Sequence, residues 1–450
     1  MTSNLPSEYF DVIIIGGGYS GLSAALELSR SGFKVCVLEA QPNLGGLAEI
    51  FQFDDGIRAE KYYHHWFNND ESVLSLVKDV GLEKYITYKA TNTGVYFNKI
   101  LWRFSKPIDL IRFKPITFLD RLRLGIAVLS IRKKVKLEEV ENLTIEEWLI
   151  PLVGQKVYNT IWKPLVDAKF SEFAKDISAA WMWKKLVLRG SSRSKKGSEE
   201  LLYLKGGIGT LTKALKEKIE LFGGEIRTSC KVESIVATNN QIDKIICNNA
   251  SLKASRYILT VATPVVASLL VEDDFNHNWL KNLNSVKYLG NICVVLRLRK
   301  SLSSYYWLNI TDPTFPFVGV IEHTNLDSID NYSDTSIAYM SRYISTSNNQ
   351  FKMDDSEYLS LTIHHLNIMF PEFNKSDILE FRVWRAEYAQ PVITKNYQKT
   401  RDLLDSPYDN LVYTSMAHIY PEDRGTNYAI REGQKSAIKI MNKIRKDYEM

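Results

Sequence analysis

Cysteine is scarce in this 450-residue chain. Cys36, Cys230, Cys247 and Cys293 form no CxxC pair and no metal-ligand spacing. That argues against structural zinc and iron–sulfur clusters and predicts reduced, mostly buried thiols in a cytoplasmic protein. Long apolar runs are missing too. They reach about six residues, as in Leu124 to Leu129, against the roughly 18–20 that a membrane-spanning helix needs. No basic stretch followed by an apolar one precedes Asp11, so no secretory signal is expected. An HExxH pair, a serine nucleophile elbow and a Walker loop are all absent, which sets aside zinc proteases, serine hydrolases and P-loop NTPases. There is no internal repeat and no low-complexity tail.

What is present is an ordinary globular composition, 45% hydrophobic and 24% charged, with a formal charge of +5. The charge is local. Arg112, Lys114, Arg121, Arg123, Arg132, Lys133, Lys134 and Lys136 face a single acid, Asp120, so this segment carries +7 and the remainder −2. A nucleic-acid-binding surface is therefore not expected. Apolar residues interleave with these charges, among them Phe118, Leu122, Leu124, Ile126 and Leu129. Two readings follow. Either residues 112–136 make peripheral contact with an anionic membrane, or Leu122, Ile126 and Leu129 pack onto their own domain beneath a solvated basic face.

The chain opens as a βαβ unit. Asp11 to Ile15 reads as a buried strand, Gly16 to Gly21 as a tight turn, Leu22 to Ser31 as a helix and Phe33 to Leu38 as a second parallel strand. Residues from about 60 to 200 turn aromatic and helical, with helices expected at Ser72–Val80, Phe118–Lys134 and Thr144–Tyr158. The last opens on a capping box, Thr144 with Glu147. Gly190 to Ser198 reads as a polar linker. Strands follow at 225–228, 232–238, 244–247 and 257–261, then strand-like runs at 292–298, 317–322 and 336–341. A helix is expected around Tyr358–Met369, and a strand at 411–415 with a helix from about Tyr428 to Arg445 closes the chain.

Gly16-x-Gly18-x-x-Gly21 stands between strand and helix, and Glu39 ends the second strand 21 residues after Gly18. Such a turn lets a pyrophosphate approach the backbone and meet the free N–H groups of the helix, while the acid accepts from ribose hydroxyls. Glu39 is followed by five residues and then the doublet Gly45-Gly46. This pairing resembles the flavoprotein superfamily of monoamine oxidases, protoporphyrinogen oxidases, phytoene desaturases and UDP-galactopyranose mutases. Leu204-x-Gly206-Gly207-x-x-x-Leu211, Val232, Ile258 to Pro264 and Glu422 to Gly433 resemble further family segments in the same order. The resemblance implies bound FAD and an α/β fold: a Rossmann-type FAD-binding domain (8–60, 200–285 and 405–450) with an interleaved substrate-binding domain of helices and an antiparallel sheet (61–199 and 286–404). It implies cofactor contacts at Gly16, Gly18, Tyr19, Ser20, Gly21, Glu39, Ala40, Gly45, Gly46, Leu47, Val232, Asn427, Tyr428 and Ala429. The sequence departs from many amine oxidases at Leu44 and Leu47, where they carry arginine. No cysteine follows Cys293, so non-covalent FAD is expected.

Flavin supplies the redox chemistry itself, leaving the protein to orient and to tune charge. His64 and His65 lie in an aromatic run shortly after the doublet, and a nearby histidine contacts flavin in the mutases. They are candidates for proton transfer, or else packed rings. Arg424, before the terminal helix, is a candidate for stabilising negative charge, or else a surface salt bridge with Glu422 or Asp423. His418 is similarly open. Trp162 to Leu165, Lys169-Phe170 and Trp181 to Trp183 line a substrate pocket or form core. His323, His364 and His365 read as surface or packing residues. The expected function is an FAD-dependent oxidoreductase taking hydride from an amine or apolar, even lipid-linked, small molecule. The alternative is a redo-neutral sugar-nucleotide mutase that uses reduced FAD.

Overall fold

A computed structural model describes residues 8–191, 200–273 and 275–449. The β-branched run Glu8–Ile15 lies at the centre of a seven-stranded sheet. The order is Glu225–Arg227, Val35–Leu38, Glu8–Ile15, Ala250–Leu259, Gln241–Cys247 and Val232–Thr238, with Leu411–Tyr413 also pairing Ala250–Leu259. The strands around Glu8–Ile15 run parallel, so both faces must be covered. Val12, Ile14, Val35 and Val37 face one cluster with the helices Tyr19–Arg30, Ile208–Leu221 and Thr426–Glu449. Ile13, Ile15, Cys36 and Leu38 face the other.

The first helix begins at Tyr19, three residues earlier than expected. Two glycines fix its surroundings. A Cβ on Gly21 would stand 1.9 Å from the Gly16 carbonyl oxygen, so only glycine closes this turn. A Cβ on Gly433 would stand 2.1 Å from the Ser20 carbonyl oxygen, which shows how closely the last helix lies on the first. The Ser20 hydroxyl donates to the Ala429 carbonyl at 2.9 Å across the same contact.

A second seven-stranded sheet has the order Ile378–Pro391, Tyr288–Leu298, Ser336–Ile344, Gly319–Glu322, Trp307–Ile310, Thr93–Phe97, Ile100–Arg103. Its pairs are antiparallel except for Trp307–Ile310 with Thr93–Phe97. Beside it, helices between Pro107 and Ser191 bury Trp148, Phe170 and Trp181 in one cluster.

The structure corrects several local expectations. The capping box forms, with Thr144 Oγ1 accepting from Glu147 N–H at 3.2 Å and Glu147 Oε2 accepting from Thr144 N–H at 2.7 Å. Its helix, however, ends at Val153, because Gly154 takes φ of 87° and breaks the ladder before Tyr158. Gly190 and Ser191 close the helix Ala179–Ser191 and do not begin a linker; the rest of that expected loop lies outside the described residues. Cys230 and Cys247 are not free thiols but are joined in a disulfide. The hairpin register, which pairs Val232 with Cys247, carries them together. Cys36 and Cys293 remain free and buried.

The basic helix Phe118–Lys134 also differs from its packed reading. Leu124, Ala127 and Ile131 form the inward stripe, while Leu119, Leu122, Ile126 and Leu129 form a second one that faces outward. Leu119 and Ile126 are 76% and 69% exposed. Ile108, Ile111 and Phe118 extend this face. No helix among the described residues is long and apolar enough to cross a membrane.

Gly433→Ala should destabilise the fold by about 1–3 kcal/mol, because neither backbone can yield. Gly425→Ala, whose Cβ would meet only Tyr428 at 3.9 Å, should stay within about 0.5 kcal/mol. Chemical denaturation of the two variants checks the difference.

Candidate functional site

The phosphate end of the site is made from backbone. Gly18 precedes the first helix with extended dihedrals and no side-chain cap, and the first turn carries no acid. The opening amides and the positive dipole end are thus left for an anion. A Cβ on Gly18 would have only Gly46 Cα within reach, at 4.0 Å, so the space above it suits a pyrophosphate. The doublet lies alongside: Gly45 N–H donates to the Gly17 carbonyl at 2.9 Å, and Gly18 and Gly45 form a bridge. Glu39 accepts from Gly17 N–H at 2.7 Å and from Gln41 N–H at 2.8 Å. This fixes its carboxylate at the strand end beside the turn. These features fit FAD.

The other expected contacts divide. Gly16 and Gly21 shape the turn and Gly46-Leu47 continues into a short 3-10 turn, while Ala40 is exposed just past the strand end. Val232 opens its strand with its side chain buried. Tyr19, Ser20 and Asn427 spend their side chains on structure. The Tyr19 hydroxyl donates to the Ile208 carbonyl at 3.0 Å, Ser20 bonds Ala429, and Asn427 Oδ1 accepts from Val73 N–H at 3.1 Å. What they have to offer a cofactor is main chain. Ala429 N–H bonds the Gly425 carbonyl at 3.0 Å, which makes the preceding amides of Thr426 to Tyr428 the open end of the last helix. Tyr428 packs its ring under Arg431 at 5.0 Å.

Deeper in the molecule, His64 and His65 meet groups from distant segments. His64 Nδ1 bonds the Tyr62 carbonyl at 2.7 Å, so this nitrogen is the protonated donor and Nε2 is left as the basic one. His65 Nδ1 bonds the Tyr306 hydroxyl at 2.9 Å. Burial lowers the pKa of both rings, that of His65 to about 3 with help from the positive charges of Arg189 and Lys185. Both are neutral near pH 7.

Arg424 is not a surface salt bridge. It lies inside the chain, where Nη2 donates to the Tyr343 hydroxyl at 2.6 Å. Its acidic neighbours pair elsewhere: Glu422 with Lys184 and Arg431, and Asp423 with two lysines. Lys169 Nζ and Lys185 Nζ reach the same oxygen, Asp423 Oδ2, at 2.6 and 2.8 Å. The two ammonium groups also sit 4.8 and 4.7 Å from the Trp181 ring centroid. Burial would raise the Asp423 pKa, yet Lys169, Lys185 and Arg424 hold it well below the carboxylate range. Burial lowers Lys169 and takes Lys185 down to about 7, with Asp423 opposing.

Lys169, Lys185, Asp423 and Tyr343 were not singled out by pattern as a unit. Lys169 was noted only within an aromatic stretch, and a solitary lysine carries no signal of burial. The aromatic residues divide: Phe170 and Trp181 are buried core, with Trp181 also forming the wall behind the lysines. His323 is fully buried, with Nε2 on the Tyr332 hydroxyl at 2.8 Å. His418 is held by Ser415 N–H at 3.0 Å, and burial takes it down to about 4.

The profile described as flavin containing amine oxidoreductase matches residues 19–441. Flavin-containing amine oxidase B of Sus scrofa is 25% identical over 273 residues, which is 58% of this chain and 51% of that protein. The matched part thus spans about half the length of this relative. The 15-cis-phytoene desaturase of an Oncidium hybrid cultivar is 21% identical over 437 residues, 89% of this chain and 72% of that protein. A solved structure of reduced UDP-galactopyranose mutase superposes with a TM-score of 0.76 at 14% identity, covering 96% of each chain.

Gly18→Leu should fill the space over the turn and leave a chain that purifies without FAD. Visible flavin absorbance of the variant against the parent chain checks this, and circular dichroism should show the fold retained, because the new Cβ meets no neighbour closer than Gly46.

Proposed function

The chain belongs to the family of flavin-containing amine oxidoreductases, and we propose that it is an FAD-dependent oxidoreductase whose substrate is an apolar molecule drawn from a membrane surface. The observation that carries this reading is the outward face of residues 108–129. Seven large apolar side chains stand exposed there, Ile108, Ile111, Phe118, Leu119, Leu122, Ile126 and Leu129, among the basic residues counted above. Monomeric proteins rarely leave such a patch bare, and its basic rim suits anionic head groups at about 1 kcal/mol per residue.

In this reading residues 8–60, 200–285 and 405–450 form the FAD-binding domain, supported by the three segments supplying all seven strands of the first sheet. Residues 61–199 and 286–404 form the substrate domain. Gly16 to Gly21, Glu39, Gly45-Gly46 and the open amides of Thr426 to Tyr428 hold FAD non-covalently, since both free thiols are buried. The bound cofactor supplies hydride acceptance. His64, with its proton fixed on Nδ1, accepts a proton at Nε2. His65 orients the wall beside it through Tyr306, and Arg424 offsets negative charge.

A second reading keeps the same site for redox-neutral rearrangement of a sugar nucleotide. The three cations Lys169, Lys185 and Arg424 gathered about Asp423 favour it, since they suit a diphosphate. The two readings differ in what they need. The first expects anaerobic bleaching of the flavin by an apolar donor in anionic vesicles. The second expects no bleaching and turnover of a UDP-sugar only after dithionite treatment.

Co-sedimentation with vesicles checks the surface. Binding should require anionic lipid, weaken as salt rises and fall at least about tenfold in the Leu119→Ser, Ile126→Ser double variant. Recovery in the supernatant regardless of lipid charge at low salt overturns membrane contact.

A further inference from the structure

The interior cluster around Asp423 has an unbalanced charge. Lys169, Lys185 and Arg424 converge on one carboxylate, and both lysines use the same oxygen of it. Asp423 Oδ1 and Arg424 Nε are buried and make no hydrogen bond among the described residues. Arg424 bonds the neutral Tyr343 hydroxyl, and its guanidinium lies 5.4 Å from that ring centroid. Glu422, the next acid along the chain, is taken by Lys184 and Arg431. Three cations against one anion inside a protein is a costly arrangement unless a further negative group joins them.

The lysines are not packed solid. Lys169 and Lys185 keep 19% and 27% of their side-chain surface, although burial dominates their surroundings. They therefore line a recess that solvent reaches. Its wall is aromatic, with Trp181 behind both ammonium groups and Tyr343 near Lys169 at 5.7 Å. The electrostatic reach of Lys185 extends to His65 and that of Arg424 to Tyr63 and His64. Lys185 and Arg424 thus act on the histidine pair through charge, while the cluster and the glycine turn are built from different segments of the chain.

We propose that Lys169, Lys185 and Arg424 form a binding site for an oxyanion of the substrate, a phosphoryl group or a carboxylate, so that the substrate presents an anionic head to this hollow and not an ammonium group. Lysines offer compact charges with several donors each, and arginine a planar fork. Together they have many more N–H donors than Asp423 can accept. A protonated amine would meet like charge. The inference rests on the oxidoreductase reading only for the identity of the molecule that carries the anion.

The test uses the full chain loaded with FAD and inorganic pyrophosphate as probe, with acetate and benzylammonium as comparison arms. Calorimetry reads binding, and the flavin absorbance difference spectrum reports whether it occurs beside the cofactor. Pyrophosphate should bind and perturb the spectrum. Tighter binding of acetate than of pyrophosphate would assign the site to a carboxylate, within the same proposal. Lys169→Met and Lys185→Met should each weaken binding at least about tenfold, Lys185→Arg should restore it to within about threefold, and Lys213→Met on the exposed side of Ile208–Leu221 should leave it unchanged. Equal affinity in Lys169→Met, Lys185→Met and the parent chain overturns the proposal, as does preference for benzylammonium. Anion binding at the cluster in a chain whose flavin no donor reduces overturns the oxidase reading and supports the site.

Discussion

The arrangement of the site depends on one close contact, the backbone of the last helix at Gly433 against that of the first at Ser20. It joins segments about four hundred residues apart. Because Cβ is missing, the two helices approach until the Ser20 hydroxyl can bond the Ala429 carbonyl. The open amides of both helices, at Tyr19 and at Thr426, are thereby brought to the same side of the first sheet. The loop before the last helix is fixed as a consequence, and with it Asp423 and Arg424. Trp66 strengthens this from the side, its indole N–H donating to Thr426 Oγ1 at 2.9 Å. A buried carboxylate fastens the neighbouring helix as well. Glu60 accepts from Ile208 N–H at 3.0 Å at the start of the helix Ile208–Leu221, and from the Tyr203 hydroxyl.

Much of the phosphate end was legible because its determinants are local. The strand, the glycine turn, the helix and the acid at Glu39 are all contained in about thirty residues, and their chemistry follows from backbone geometry. The capping box at Thr144 is local in the same way. The disulfide was not legible, since it depends on the register of a hairpin and not on spacing. The two apolar stripes of Phe118–Lys134 could be seen in the sequence, but which one faces inward is decided by the helices it packs on. The least visible element was the cation cluster. Lys169 and Lys185 lie 254 and 238 residues from Asp423, and each alone has the look of an ordinary surface charge.

The helix Ala179–Ser191 connects the two features that bear on substrate. One side supports the basic outer helix region, where the Trp183 indole N–H donates to the Val135 carbonyl at 3.2 Å. Another side carries Trp181 and Lys185 into the interior cluster. Outer surface and recess are thus separated by one layer of helix. The outer stripe of Phe118–Lys134 cannot be explained as part of the core that this layer helps to form, because Leu124, Ala127 and Ile131 already fill that role. Burying those inward side chains is worth roughly 1.5–3 kcal/mol for each large aliphatic one. The outward stripe stays exposed in the folded chain, and the proposed membrane contact is what would cover it.

The same reasoning separates the two halves of the cavity chemistry. His64 and His65 are half-buried, and desolvation, with no carboxylate hydrogen-bonded to either ring to oppose it, keeps both neutral. A neutral imidazole can take a proton but does not hold an anion by charge. In the proposed site that role falls to the lysines and Arg424, and positive charge in turn disfavours a proton on the rings, Lys185 acting on His65 and Arg424 on His64. The lysines are themselves held by Asp423, without which their burial would drive both toward the neutral form. An anion entering the hollow would act on Lys185 in the same sense as Asp423, favouring its charged state and strengthening the cluster it joins. In the proposed site, charge recognition and proton handling fall to different side chains, and an arriving anion favours the charged form of Lys185, the cation that burial brings nearest to neutrality.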